Sequence, residues 1–230
     1  DYFNNNIVYI NIMKNIPRIF VDADIKSGVA ISASRDVAHY LGRVMRTRDC
    51  LVFGRGDEYN AQLSDDNKFL IIGDKTKHTD PSNNITLMFA PIKRTDDLLN
   101  MATQLGVAKF QPVITERTTA HHVNWERMKK IVIEAAEQSN RNSVPEILSP
   151  IKFSNLDLSH AVFADERTAY GKKSDCEIKN ITAILVGPEG GFSDAEFFAL
   201  DAAGACGISL GATLLRAELA GAIAISKILG

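Results

Sequence analysis

Apolar and polar positions follow two different rhythms along the chain. From residue 16 to about 75 the apolar runs are short, at 18–21, 30–32, 50–53, 59–63 and 69–72. Turn-forming stretches such as Gly54-Arg55-Gly56-Asp57 and Ser64-Asp65-Asp66-Asn67 separate them, so each run predicts a strand. One helix interrupts the series. Ser34 is its candidate N-cap, and Val37, Leu41, Val44 and Met45 recur at i, i+4, i+7 and i+8, the spacing of one helix face. Short strands around a single helix predict a small β-barrel over residues 16–75.

Residues 76–84 are polar, contain Pro81 and read as a linker. Beyond them, over residues 85–230, strands and helices alternate. Strands are predicted at 86–90, 109–115, 161–164, 183–186 and 207–210, and helices at 95–105, 124–139 and 193–203, with a last helix at the end. Thr95 is the candidate N-cap of the first of these helices, with Asp96 and Asp97 in its first turn and Gly106 as its stop. Trp125, Met128, Val132, Ala135 and Ala136 mark the apolar side of the second, and Ser193 and Glu196 stand at capping-box spacing. This alternation predicts an α/β domain built on a mostly parallel sheet with helices on both faces.

Composition then narrows the classes. The 230 residues (25.2 kDa) are 45% hydrophobic and 23% charged, enough apolar surface for one large or two small folded domains. A net charge of -2 excludes a uniformly basic nucleic-acid coat, so any RNA contact must come from a local patch. Cys50, Cys176 and Cys206 form no C-x-x-C pair, which argues against a zinc ribbon or a thioredoxin-type site. Three scattered cysteines without a disulfide framework point to a reducing, cytoplasmic setting. The most apolar stretch, 219–225 with Ile228 and Leu229 beyond it, falls short of the ~20 residues that span a bilayer, so no membrane association is expected. Residues 1–15 lack the basic region of a signal peptide and are set aside as an N-terminal extension. Adjacent His121 and His122 have no carboxylate or cysteine at zinc-like spacing, so no metal is expected.

Four groups of residues could carry chemistry. Leu185-Val186-Gly187-Pro188-Glu189-Gly190-Gly191-Phe192-Ser193 runs from a strand into a capped helix. In open α/β sheets ligands sit at that end of the strands, and glycines let a ligand approach the backbone. The string is neither a G-x-G-x-x-G fingerprint nor a P-loop. Leu210-Gly211-Ala212-Thr213-Leu214-Leu215-Arg216-Ala217-Glu218 also leaves a strand and enters a helix. In that helix Ala217, Ala220, Gly221 and Ala224 form a stripe of small side chains, suited to close packing within the chain or against a second subunit. The segment from Glu134 through Gln138 to Arg141 ends a helix in hydrogen-bonding groups. Finally, Arg35, Arg43, Arg46, Arg48 and Arg55 outnumber Asp36 and Asp49, with Tyr40 nearby and Arg18 as an extension; arginine forks suit phosphate.

Together these pieces resemble the RsmE family of 16S ribosomal RNA uridine-N3 methyltransferases, within the SPOUT superfamily. The resemblance begins at Pro17-Arg18-Ile19-Phe20-Val21 and continues through His39-Tyr40-Leu41-Gly42-Arg43-Val44-Met45-Arg46 and Gln104-Leu105-Gly106-Val107. It is most specific at Gly187-Pro188-Glu189-Gly190-Gly191 and at residues 210–218. It implies a PUA-like barrel that helps grip RNA, followed by an α/β domain with a trefoil knot. It implies a homodimer that binds S-adenosyl-L-methionine and acts on 16S rRNA within the small ribosomal subunit. Leu185, Gly187, Pro188, Glu189, Gly190 and Gly191, with Leu210, Gly211, Leu214 and Leu215, would then hold the cofactor. Many relatives carry Leu-Arg-Thr-Glu-Thr-Ala where this chain has Leu215-Arg216-Ala217-Glu218-Leu219-Ala220, so two hydroxyls are missing.

The implied reaction needs a proton removed from uridine N3 and charge stabilised on the uracil oxygens. Arg216 and Glu218 are the catalytic candidates. Arg216 stays protonated, so it serves as the charge stabiliser, while the proton acceptor stays open. Glu189 could instead hold its own loop. Arg18, Arg43, Arg46, Gln138 and Arg141 are the RNA-binding candidates. The alternatives are methylation at another base or ribose position, and an RNA-binding assembly factor without catalysis.

Overall fold

The computed structural model describes residues 16–119, 124–174 and 178–230. The N-terminal extension, the His121-His122 pair and Cys176 lie outside the described residues. The chain divides into two compact units, 1–77 and 78–230.

The first unit is a five-stranded sheet of β1 (Arg18–Phe20), β2 (Ala30–Ser32), β3 (Asp49–Gly54), β4 (Asp57–Leu63) and β5 (Phe69–Lys75), in the order β1-β3-β4-β5-β2. β1 runs parallel to β3 and the other pairs are antiparallel. β3 and β4 join through Arg55 and Gly56, both at positive φ, the backbone that a tight hairpin between right-twisted strands requires. Alternate residues of β4 and β5, among them Ala61, Leu63, Leu70 and Ile72, fill one core with Ile19, Val52 and Leu41.

Ser34 caps α1 (Arg35–His39) as expected, accepting the Val37 N–H. The helix then widens into a π-helical turn over residues 40–45, closed by Arg46 in the left-handed region. The wider turn breaks the α spacing. Leu41 is fully buried, but Val44, expected on the same face, is 59% exposed.

The second unit holds β6 (Thr86–Phe89), α2 (Thr95–Gln104), β7 (Lys109–Ile114), α3 (Trp125–Gln138), β8 (Glu146–Ile147), β9 (Ile151–Lys152), β10 (Ala161–Ala164), β11 (Ala183–Val186), α4 (Asp194–Ala202), β12 (Cys206–Ile208) and α5 (Ala217–Leu229). Its sheet is wholly parallel, in the order β12-β10-β11-β6-β7-β8, with β9 paired to β7. Alternation along the strands separates two cores. Leu87, Phe89, Ile184, Val186 and Val162 face α2, α3 and α5, while Met88, Leu185, Phe163 and Ala183 face α4. The sheet is thus covered on both faces, as the β/α alternation predicted.

Local signals hold at most helix starts. Asn124 caps α3, and Ser193 and Glu196 form a complete capping box at α4. At α2 the cap is Arg94 rather than Thr95, because the Thr95 hydroxyl turns back to the Ile92 N–H and carbonyl. β8 and β9 were not foreseen, being two residues each.

The polar stretch before β6 is held firmly at one end. Asp80 accepts the N–H groups of Asn142 and Ser143, and Asn83 bonds Gly106 and Ile85. Cys50 is a buried free thiol, which burial pushes up to about 12.

In α5 the small-residue stripe is buried inside the chain. A Cβ on Gly221 would come within 2.5 Å of Leu98 Cδ1 on α2 and 3.7 Å of Val186 Cγ2 on β11. Glycine there lets α5 lie close to both elements and sets the height of the helix start that carries Arg216 and Glu218.

Candidate active site

A cavity of about 450 Å³ opens at the carboxyl ends of β6, β10, β11 and β12. Its walls are Lys93 and Arg94 after β6, residues between 164 and 169 after β10, the turn at 186–192 and the segment 210–218. The two glycine-bearing strings, remote in sequence, therefore meet at one place. Of the residues singled out in them, Gly187, Pro188, Glu189, Gly191, Leu210, Gly211, Leu214, Leu215, Arg216 and Glu218 line the cavity. Leu185 does not; it is fully buried among Phe163 and Phe192 on the α4 side of the sheet. Gly190 lies outside the lining, exposed, with its carbonyl turned to Arg117.

The 187–191 turn is fixed from three directions. Gly191 N–H closes it on the Pro188 carbonyl at 2.9 Å. Glu189 Oε1 accepts the Lys93 N–H at 2.9 Å, so this carboxylate ties the turn to the end of β6. Arg117 Nη1 donates to the carbonyls of Gly190 (2.9 Å) and Phe192 (3.1 Å). Gly191 sits at φ +68, and a Cβ there would run into the Glu166 carboxylate, so both backbone and space demand glycine. The 212–215 segment differs. Its backbone makes no backbone–backbone hydrogen bond among the described residues, which leaves its amides and carbonyls for a ligand.

Charge is dense around the cavity. Asp165 is buried yet ionised. Burial pushes its carboxyl up, but hydrogen bonds from Arg167 and Lys172 outweigh that and hold it low. The same two cations reach Asp201 on α4 and hold it at about 2. Burial pushes Glu166 up, against the nearby Arg117 charge. Glu218 is buried at the start of α5, and among the described residues the one ion pair its carboxylate makes is with Arg94 Nε, at 3.7 Å. Arg216 caps α5, exposed, and makes no side-chain hydrogen bond or ion pair among the described residues.

The RNA-binding candidates separate. Arg43 and Arg46 are exposed and form no ion pair among the described residues. Arg18 is committed inside the first unit: it bonds Glu58 at 3.0 Å and lies 4.3 Å over the Phe53 ring. Arg48 and Arg55 are paired with Asp65 and with Asp22 and Asp24. Arg141 donates to the Thr103 and Val107 carbonyls and to Ser143, joining α3 to α2. Gln138 is exposed at the end of α3. Neither lines the cavity.

Residues 79–229 match the RNA methyltransferase domain family. A relative from Rickettsia conorii, "Ribosomal RNA small subunit methyltransferase E", is 33% identical, covering 92% of this chain and 94% of its own. One of the same name from Synechocystis sp. is 31% identical over 83% and 69%. The chain belongs to this methyltransferase E family. A crystal structure of a family protein from Neisseria gonorrhoeae, bound to S-adenosyl methionine, superposes with a TM-score of 0.81 at 27% identity, covering 93% of this chain and 96% of that one.

Motif reading did not single out Lys93, Arg94, Asp165 and Glu166, which line the cavity, or Arg117, which holds its glycine-rich turn. A signal existed for the first four. In a parallel sheet all strands end on one edge, so residues just after the strands predicted at 86–90 and 161–164 share that edge with the two glycine-bearing strings. Arg117 has no such mark, because its role depends on which carbonyls its loop meets.

Proposed function

We propose that this protein transfers the methyl group of S-adenosyl-L-methionine to N3 of a uridine in 16S rRNA of the small ribosomal subunit. The observation that carries the reading is the convergence of residues 187–191 and 210–216 on a single cavity at the strand ends. The cavity fits such a ligand. Its volume lies in the ~300–1,000 Å³ range of small-molecule sites. Leu210, Leu214 and Leu215 offer apolar contact, the free backbone of 212–215 can pair an adenine edge, and carboxylates stand near for a cationic ligand. When bound, the cofactor supplies an electrophilic methyl group.

The chain's own residues do the rest. The turn fixed by Glu189 and Arg117 holds the ligand in place, so alignment with the nucleophile needs little reorganisation. Arg216, a free cation at the cavity, stabilises charge that develops on the uracil oxygens. Arg43 and Arg46 bind RNA phosphates from a PUA-like barrel (16–75), which residues 76–84 join to a knotted methyltransferase domain (85–230). The enzyme works as a homodimer in the cytoplasm. Ala217 lines the cavity where many relatives offer a hydroxyl, so no hydroxyl acts from that position.

Incubation with unmodified small subunits and labelled methyl donor, followed by nucleoside analysis, tests the reading. The expected product is 3-methyluridine. Label on a ribose or another base, or no transfer at all, would contradict it.

A further inference from the structure

Methylation at N3 requires an acceptor for the N3 proton, and the cavity contains four carboxylates. Three have other work. Asp165 is held by Arg167 and Lys172, and Glu189 takes the Lys93 N–H. Glu166 lies against Gly191, on the turn assigned to the cofactor. Glu218 is different. It is only 8% exposed, yet it accepts no hydrogen bond from the described residues, and its one partner is the Arg94 guanidinium at 3.7 Å. Its oxygens are not sealed off like those of a core group but open onto the cavity, where the donor of a bound ligand can reach them. In uridine, where N1 carries the ribose, the base offers a single N–H donor, at N3.

We propose that Glu218 is the catalytic base that takes the N3 proton, and that Arg94, 3.7 Å from its carboxylate, is the positioning residue that aims it. The inference rests on the uridine-N3 reading above. In the step, the N3–H bond breaks and its electron pair stays on nitrogen, while the proton passes to a Glu218 oxygen. N3 then bonds to the methyl carbon as the carbon–sulfur bond breaks, its electrons going to sulfur and leaving a neutral thioether. Glu218 returns the proton to water. Glu218 stands in the first turn of α5, where unpaired amides attract a negative side chain, and the Arg94 guanidinium lies beside it without a hydrogen bond that the base's N–H would have to displace. Arg94 also meets Asp97 at 3.5 Å, which anchors its fork from α2.

The test uses two RNA substrates, one with uridine at the target and one with 5-fluorouridine, whose fluorine makes N3–H more acidic. Glu218→Gln should slow single-turnover transfer to uridine by ~100-fold or more, the usual span for a lost general base. Its cofactor affinity should stay within about threefold, and most of the deficit should disappear on the 5-fluorouridine RNA. Arg94→Met should behave the same way to a smaller degree, and Arg94→Lys should recover most of the rate. Glu166→Gln should show the same relative rate on both RNAs. Unimpaired transfer by Glu218→Gln, or a deficit equal on both substrates, overturns the assignment. Failure of the wild-type protein to methylate N3 in either RNA instead overturns the uridine reading on which it rests.

Discussion

At the scale of single residues, the site is made by a few groups whose partners are far away in sequence. Arg117 is the clearest case. Its guanidinium bridges two carbonyls of the glycine-rich turn, and nothing else among the described residues bonds the Gly190 or Phe192 carbonyl through a side chain. Charge-assisted bonds are worth more than neutral ones, but the side chain is exposed, so the net effect is discounted to about 1 kcal/mol. Arg117→Met should therefore weaken S-adenosylmethionine binding about fivefold by calorimetry, with the fold intact. Unchanged affinity would show that the turn holds its shape without the clamp. Residue identity alone showed where cations occur, not where they point. Arg18 and Arg141 look as free in the sequence as Arg43 and Arg46, but the structure spends the first two on Glu58 and on α2 carbonyls. That distinction depends on tertiary neighbours, which no local pattern records.

At the scale of elements, most of the architecture was legible because each strand and helix carries its own period and punctuation. The capping box at Ser193 and the small residues of α5 are local facts, and the structure uses both. The π-helical turn at 40–45 was not legible, since the residues keep an α-like spacing and only the bonding pattern changes. Nor was the tie between the 166–170 turn and α4. There Arg167 and Lys172 each bridge Asp165 and Asp201. Asp201 is held at about 2, below its unfolded value near 3.8, so its contribution is complete above pH ~4 and is lost as pH falls toward 2. Asp201→Asn should flatten the fall in urea-denaturation stability across that window. An identical slope in the variant would mean that exposure screens the network to insignificance, which is the usual fate of open ion pairs.

At the scale of the whole molecule, an overall charge of -2 has to coexist with binding to a polyanion, so recognition depends on where the positive groups sit. Arg43 and Arg46, exposed and without an ion pair among the described residues, are the candidates in the first unit, and Lys93, Arg94 and Arg216 place positive charge at the cavity. Replacing both Arg43 and Arg46 with glutamine should lower RNA affinity and reduce the slope of log affinity against log salt by roughly one to two, with cofactor affinity unchanged. An unaltered salt slope would take these residues off the RNA face. The central claim is more local: one cavity, walled by two strings that lie some twenty residues apart, receives the methyl donor. A crystal structure with S-adenosylmethionine tests it most directly. The account predicts the ligand between residues 187–191 and 210–216, touching the backbone of 212–215 and facing Arg216. A ligand seated elsewhere, or those strings closed over a filled cavity, would contradict it.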